Sequence, residues 1–293
     1  MDERNPDNLE LLYHHFSQDA IDGILPGDSF SVDGVEFVCQ YLTGSTAERF
    51  YIVKSLPLID RYREVCERFR GANIVELGIA EGGSTALIAL LARPHKLVAI
   101  DLEPVSLAAL TEFSERHGLS DVVQTFYGID QSDRAGLGAA VDAGLDGNRI
   151  DLVIDDCSHH YEPTRASFEC LFPRLRPGGL YLIEDWNADH VFRDALVDGL
   201  NDPATPNREQ LVADFRRAMT ETNPDESTAP RQPLTRLAIE LAVARCSMTD
   251  AIASVTLDEF WIVVERGEAE LEPDAFLLDR VCRDHFGFLP AAG

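Results

Sequence analysis

The stretch NIVELGIAEGGSTALIALLARPHKLVAIDL, residues 73–102, decides the fold. NIVELG is a short apolar run closed by glycine, STALIALLA reads as helix, and KLVAIDL is a second apolar run. Working outward, the alternation continues. VSLAALTEFSERHG reads as helix, VVQTFYGI as strand, RAGLGAAVDAG as helix and IDLVID as a fourth strand. A helix around PTRASFECLFPRL and a fifth strand, GLYLIED, follow. Near-continuous apolar strands are buried on both faces, and repeated strand–helix units make them parallel. Right-handed crossovers then give an α/β, Rossmann-like doubly wound sheet. The last two strands, ASVTL and FWIVVERG, are separated only by Asp258 and Glu259. That spacing demands a hairpin, so at least one strand runs antiparallel to the rest.

Residues 1–70 read as an N-terminal hairpin and helical appendage, residues 71–267 as the main domain, and residues 268–293 as a C-terminal helix. In FSVDGVEFV, Asp33-Gly34 suits a type I′ turn, which puts Phe30, Val32, Val35 and Phe37 on one face and Ser31 and Glu36 on the other. RFYIVKSLPLIDRYREVCERF reads as helix broken near Pro57, with Ile59, Tyr62, Val65, Cys66 and Phe69 at helical spacing. Residues 187–250 break the rhythm after the fifth strand. The Pro-rich linkers DPATPN and TNPDESTAPRQP separate helices near His190–Leu200, Arg208–Thr222 and Leu234–Cys246, a helical insertion that could serve as a lid, an acceptor platform or an oligomer contact.

A net charge of −26 on 293 residues argues against nucleic-acid and anionic-membrane partners. Most of that charge reads as solvated helix faces. The six cysteines are scattered without a Cys-x-x-Cys pair, so neither a structural zinc site nor a redox motif is indicated. MDERNPDNLE lacks an apolar signal core and no apolar run spans a bilayer, so a cytoplasmic location is expected.

The turn after the first strand of the alternation is ELGIAEGGS, with glycines at 78, 82 and 83. Glycine permits a sharp turn and close approach of a ligand to the main chain. The spacing G-x-x-x-G-G departs from the dinucleotide fingerprint, and Glu81 in the turn disfavours a pyrophosphate. The second strand ends in Asp101, where a carboxylate can accept both hydroxyls of a ribose. The third strand runs into Gly128-Ile129-Asp130-Gln131-Ser132-Asp133, polar groups placed to read an adenine edge. Together these features suggest a nucleoside ligand without phosphates. S-adenosylmethionine fits, since its amino group and sulfonium tolerate Glu76 and Glu81 as neighbours.

VELGIAEGGST, AIDL, GIDQSD, IDDCSH, LFPRLRPGGLYLIEDW and VTLDEFWIVVERG resemble the class I S-adenosylmethionine-dependent methyltransferases. The likeness is greatest to the metal-dependent macrolide-sugar O-methyltransferases, the mycinamicin and macrocin type, and covers roughly residues 45–267. It implies a seven-stranded sheet with an antiparallel last strand. Along these motifs it implies cofactor contacts from Glu76, Gly78, Gly82, Gly83, Ser84, Asp101, Leu102, Asp130, Gln131, Ser132 and Asp155. Ser45 and Thr46, in TGSTAERFY, are further candidates for the donor's carboxylate.

The fourth strand ends in Asp155-Asp156 and the fifth in Glu184-Asp185. If the strands are neighbours, about 4.8 Å apart, four carboxylates converge at the edge of the cofactor cleft. A hard divalent ion would offset their charge, and Mg²⁺ suits carboxylates and water. An aliphatic hydroxyl needs its pKa lowered and a base to take its proton; histidine suits that role. The resemblance implies His159 as the base and Asp156, Glu184 and Asp185 as metal ligands. The chain departs from the family in carrying Glu184-Asp185-Trp186 where Asp-Asp or Asp-Asn is frequent, which leaves open which pair faces the metal. Asp155 could instead cap the following helix, His160 could be a plain loop residue, and Trp186 could pack on an acceptor ring.

The expected activity is O-methylation of a hydroxyl on a sugar or other small natural product, with S-adenosylmethionine as donor and Mg²⁺ as metal. A homo-oligomer is left open. The rival readings are a metal-independent methyltransferase and a hydroxylase-like or non-catalytic protein on the same scaffold.

Overall fold

The computed structural model describes residues 27–188, 190 and 232–281. The first strands are β1 (Ser29–Val32), β2 (Val35–Cys39) and β3 (Arg49–Ile52), followed by helix α1 (Leu56–Arg68). Then come β4 (Asn73–Leu77), α2 (Gly83–Ala92), β5 (Lys96–Asp101), α3 (Ala108–Arg116), β6 (Val123–Tyr127), α4 (Arg134–Gly144), β7 (Ile150–Asp155) and α5 (Tyr161–Leu171). A 3-10 turn at Phe172–Arg174 leads into β8 (Leu175–Glu184). The remaining elements are α6 (Thr235–Ser247), β9 (Ile252–Leu257), β10 (Trp261–Arg266) and α7 (Leu278–Val281).

Seven strands form one sheet in the order β6-β5-β4-β7-β8-β10-β9. The neighbours from β6 through β8 are parallel, and β10 pairs antiparallel with both β8 and β9. The chain runs outward from β4 to β6, then returns to lay β7 on the other side of β4. The crevice beyond the carboxyl ends of β4 and β7 is therefore the topological switch point, where ligands of open α/β sheets bind.

Side chains alternate between the two faces of each strand, and each face has its own core. Ile74, Leu152, Ile154, Leu180 and Leu182 face a cluster completed by Phe37, Phe50, Ile59, Tyr62 and Trp261. Val75, Leu77, Val153, Tyr181 and Ile183 face the other, completed by Phe168, Phe172, Leu237 and Leu241. The N-terminal hairpin thus shares the core of the main sheet. Its turn has φ of 48° at Asp33 and 86° at Gly34, as a type I′ turn requires, and Phe30 and Val32 stand opposite Phe37 and Val35.

Two local readings need correction. Residues Arg49–Ile52 are not helix; they form β3, which pairs in parallel with β2. The β-branched and aromatic run Phe50-Tyr51-Ile52 buries alternate residues on the strand, and Phe50 and Ile52 are buried. Pro57 does not break α1. It occupies the helix's first turn, where a missing N–H costs no hydrogen bond. Of the helices expected in the insertion, Leu234–Cys246 corresponds to α6. Those near His190–Leu200 and Arg208–Thr222 lie outside the described residues; of the expected C-terminal helix, residues 268–277 are turn and loop, α7 covers Leu278–Val281, and residues 282–293 lie outside the described residues. No helix among the described residues is long and apolar enough to cross a membrane.

Candidate active site

The glycine turn after β4 is built by the protein's own close approaches. At Gly78, φ is +96° and an added Cβ would lie 2.1 Å from the Asp156 carbonyl oxygen. At Gly83 it would lie 2.3 Å from the Tyr51 carbonyl oxygen, and at Gly82, with φ +78°, 2.7 Å from Leu107. The three glycines thus let β3, α3 and the segment after β7 close around the turn, beyond any room they leave for a ligand. Gly78 N donates to Ile100 O and Asp156 N to Leu77 O, so the three central strands end in register. Asp101 anchors the same turn. Its Oδ2 accepts from Ile79 N at 2.8 Å and Ala80 N at 2.9 Å, and its Oδ1 from Glu103 N at 2.8 Å. Leu102 beside it is 56% exposed. Glu81 Oε2 accepts from Gly44 N and Ser45 N at 3.0 and 3.1 Å, tying the loop before β3 to the turn.

Glu76 is fully buried, on the β4 face that carries Ile74. Thr85 Oγ1 donates to its Oε2 at 2.6 Å, while its Oε1 has no hydrogen-bond partner among the described residues. Burial pushes this carboxyl up to about 7, against the nearby Ser84 and bonded Thr85 hydroxyls and the Lys54 charge. A buried carboxylate oxygen without a partner is open to a hydrogen-bond donor from a ligand or water. The loop after β6 is more self-contained. Asp130 Oδ1 accepts from Ser132 N and Oγ, whereas Gln131 is buried. Gln131 Nε2 donates to Asp155 and Ser167, and its Oε1 accepts from Ser158 N at 3.0 Å.

Of the four strand-end carboxylates, Asp155 stands apart because it points to the opposite face from Asp156, while Asp156 lies near Asp185 and shares Lys54 with Glu184. Asp155, expected at the cofactor, lies 2% exposed on the Val153 face. It accepts from Ser167 Oγ at 2.6 Å, Tyr181 Oη at 2.7 Å and Gln131 Nε2 at 3.2 Å. Burial pushes its carboxyl up to about 6, against those hydrogen bonds. Asp156 takes the opposite face, with Ile154. Glu184, expected at the metal, sits on the same face and is 2% exposed. Its Oε1 accepts from Lys54 Nζ, and its Oε2 from Tyr62 Oη at 2.7 Å and Trp261 Nε1 at 3.0 Å. Asp156 Oδ2 accepts from the same ammonium at 2.7 Å.

Lys54 was missed in the sequence. It lies two residues past the end of β3, and its partners lie 102 and 130 residues away. It is 4% exposed, with its ammonium 4.9 Å from the Tyr62 ring centroid. Burial alone would lower its pKa, but the Asp156 and Glu184 charges outweigh burial and hold it above the ordinary value. One ammonium facing two carboxylates leaves a surplus negative charge. Burial first, and Asp156 second, accordingly raise Glu184.

Asp156, His159 and Asp185 do come together: one ligand atom of each lies within 4.8 Å of the others. His159 Nε2 stands 3.7 Å from Asp156 Oδ1. Desolvation raises the Asp185 carboxyl, countered by His159, although the residue is exposed. His159 and Asp185 both have φ of 52°, left-handed backbone that a non-glycine residue adopts at a cost. His160 begins α5 as its N-cap. Trp186 Nε1 donates to Asp258 O, which fixes the indole against the β9–β10 connection.

Residues 75–186, the segment that spans the switch point, match the family described as a methyltransferase domain. The chain is 33% identical over 164 residues to the 8-demethyl-8-alpha-L-rhamnosyl tetracenomycin-C 2'-O-methyltransferase of Streptomyces olivaceus, covering 48% of this chain and 40% of that protein. It is 31% identical over 186 residues to the demethylmacrocin O-methyltransferase of Streptomyces fradiae, covering 60% of this chain and 42% of that protein. The chain thus spans about two fifths of the length of these curated relatives. A solved structure of the MycE methyltransferase from the mycinamycin pathway, with Mg and SAH, overlaps 72% of this chain and 49% of its own at 21% identity and a TM-score of 0.44.

Proposed function

We propose that this protein transfers a methyl group from S-adenosylmethionine to a hydroxyl of a sugar or another vicinal diol on a small natural product, with a divalent cation at Asp156 and Asp185. The observation that carries this reading is the convergence of Asp156, His159 and Asp185 beside the switch point. Two carboxylates suit a hard divalent ion, Mg²⁺ completes its shell with water and acceptor oxygens, and the adjacent imidazole stays free to act as a base. The names of the relatives, both O-methyltransferases and one a 2'-O-methyltransferase of a rhamnosyl compound, support a sugar hydroxyl as acceptor.

The donor, when bound, supplies a sulfonium methyl whose bonding electrons return to sulfur as the new C–O bond forms. The metal, when bound, lowers the pKa of a hydroxyl and orients it. His159 takes the hydroxyl proton at Nε2, the nitrogen that stands towards Asp156. Asp101 and the loop of Asp130 and Ser132 hold the nucleoside, with Leu102 against it, and the buried Glu76 carboxylate receives the donor's ammonium. Gln131 and Asp155 act behind this surface, where Gln131 ties the donor-side loop to Ser158, next to the base.

Turnover after EDTA treatment, with Mg²⁺ restored afterwards, tests the metal. Activity should fall at least tenfold in the chelated protein and return with Mg²⁺. Undiminished activity in EDTA would leave the metal-independent methyltransferase as the reading.

Glu76 makes donor binding pH-dependent. Its carboxyl titrates near 7 and must be ionised to receive an ammonium, so below that pH binding has to expel a proton. The affinity for S-adenosylhomocysteine should therefore fall as pH drops from 7 to 5.5, approaching about tenfold per unit, and level off above 7.5. Calorimetry in buffers of different ionisation enthalpy should register the released proton near pH 6. A flat profile, or one that Glu76→Gln leaves unaltered, would remove Glu76 from this role.

A further inference from the structure

We infer that Lys54 is a positioning residue that competes with the divalent cation for Asp156, so that the metal site is held deliberately weak. The inference rests on the metal reading above. The Lys54 ammonium occupies Asp156 Oδ2 at 2.7 Å and also engages Glu184, which leaves only Oδ1 of Asp156 towards His159 and Asp185. Tyr62 and Trp261 complete the arrangement by donating to the other oxygen of Glu184. Glu184 thereby accepts three hydrogen bonds inside the protein, and its work is to hold Lys54.

A cation fixed against a metal-bearing carboxylate opposes the metal in two ways. It repels a dication at short range through a poorly screened interior, and it takes up one of the carboxylate's oxygens. The ammonium cannot drift off into solvent, because it is enclosed by Tyr62 and both carboxylates at 4% exposure. Weak metal binding in the free protein then makes full occupancy depend on the extra oxygens that a vicinal diol brings. An acceptor with a single hydroxyl would recruit the ion poorly, so Lys54 would also favour diols over simple alcohols.

The test is Mn²⁺ binding to the donor-free full chain, followed by electron paramagnetic resonance and calorimetry, so it does not depend on turnover. Lys54→Met should bind Mn²⁺ roughly tenfold or more tightly than wild type. Because that variant leaves Glu184 without its ion-pair partner and could fail to fold, the decisive protein is Lys54→Met/Glu184→Gln, which contains no unpaired charge at that position. It should bind Mn²⁺ several-fold more tightly than wild type, since Asp156 recovers its second oxygen. Affinity equal to or below wild type in the double variant would overturn the inference, and a drop would make Glu184 a ligand instead. Asp156→Asn/Asp185→Asn separates the two levels. If it binds Mn²⁺ as wild type does, or if wild type and both Lys54 variants bind none, the metal reading fails and this inference with it.

Discussion

His159→Ala is expected to reduce methyl transfer by about 10²–10⁴-fold while leaving the affinity for S-adenosylhomocysteine within about twofold of wild type. The imidazole is partly exposed, with a quarter of its side chain open to solvent, so its loss leaves a solvent-accessible gap rather than a closed cavity. The backbone complicates a simple reading. With φ at 52°, residue 159 sits in the left-handed region, which alanine tolerates less well than histidine or asparagine. His159→Asn separates the two effects, because asparagine accepts that backbone and has no basic nitrogen. The two variants should lose activity equally if proton removal is what the residue contributes. If His159→Asn keeps most of the wild-type rate, the loss in His159→Ala belongs to backbone strain and the base must be sought elsewhere. Mn²⁺ affinity adds a further check. A base needs its lone pair free, so His159→Asn should bind Mn²⁺ as wild type does, whereas a ligand role would weaken it.

The sheet was legible because its strands are apolar on both faces and its turns carry the expected residues. The hairpin about Asp33-Gly34 and the antiparallel β9–β10 pair followed from local rules of the same kind. Arg49–Ile52 escaped for a physical reason: four residues with helix-like neighbours become a strand only because β2 offers a parallel edge. At the site, the pairing of Asp156 with Asp185 and His159 was within reach, while the expected convergence of all four acids fails at Asp155. Two adjacent residues on one strand cannot share a face, and strand periodicity alone assigns Asp155 to one core and Asp156 to the other. Lys54 was beyond such reasoning. Its two carboxylate partners come from β8 and the segment after β7, and only the packing of the N-terminal region over the sheet brings them together. Gln131 is similar, a residue read as facing a ligand that the fold turns inward to join two loops.

Gly78→Ala is expected to destabilise the protein by about 3 kcal/mol or more, combining an overpacked contact with an unfavourable backbone angle. The reason lies in main-chain atoms on both sides. The new Cβ would be 2.1 Å from the Asp156 carbonyl oxygen and 2.9 Å from its carbonyl carbon, so no rotamer change can relieve the contact. Either the β4 turn or the segment after β7 must move, and each is bonded to a neighbouring strand end through Gly78 N–Ile100 O or Asp156 N–Leu77 O. A φ of +96° adds strain of its own, because that region is open to glycine and little else. The displaced segment carries Asp156 and leads to His159, so the same methyl group should also weaken Mn²⁺ binding, even though it touches none of the proposed ligand atoms. Gly71→Ala is the matched control: its φ is +74°, yet nothing lies within 4 Å of the added atom, so it should cost only the backbone term. Denaturant titration of the two variants measures the difference. Equal losses would mean that the approach of Asp156 to the turn is looser than these distances imply, and a larger loss for Gly78 would fix that approach as the element that sets the Asp156 strand end against the glycine turn.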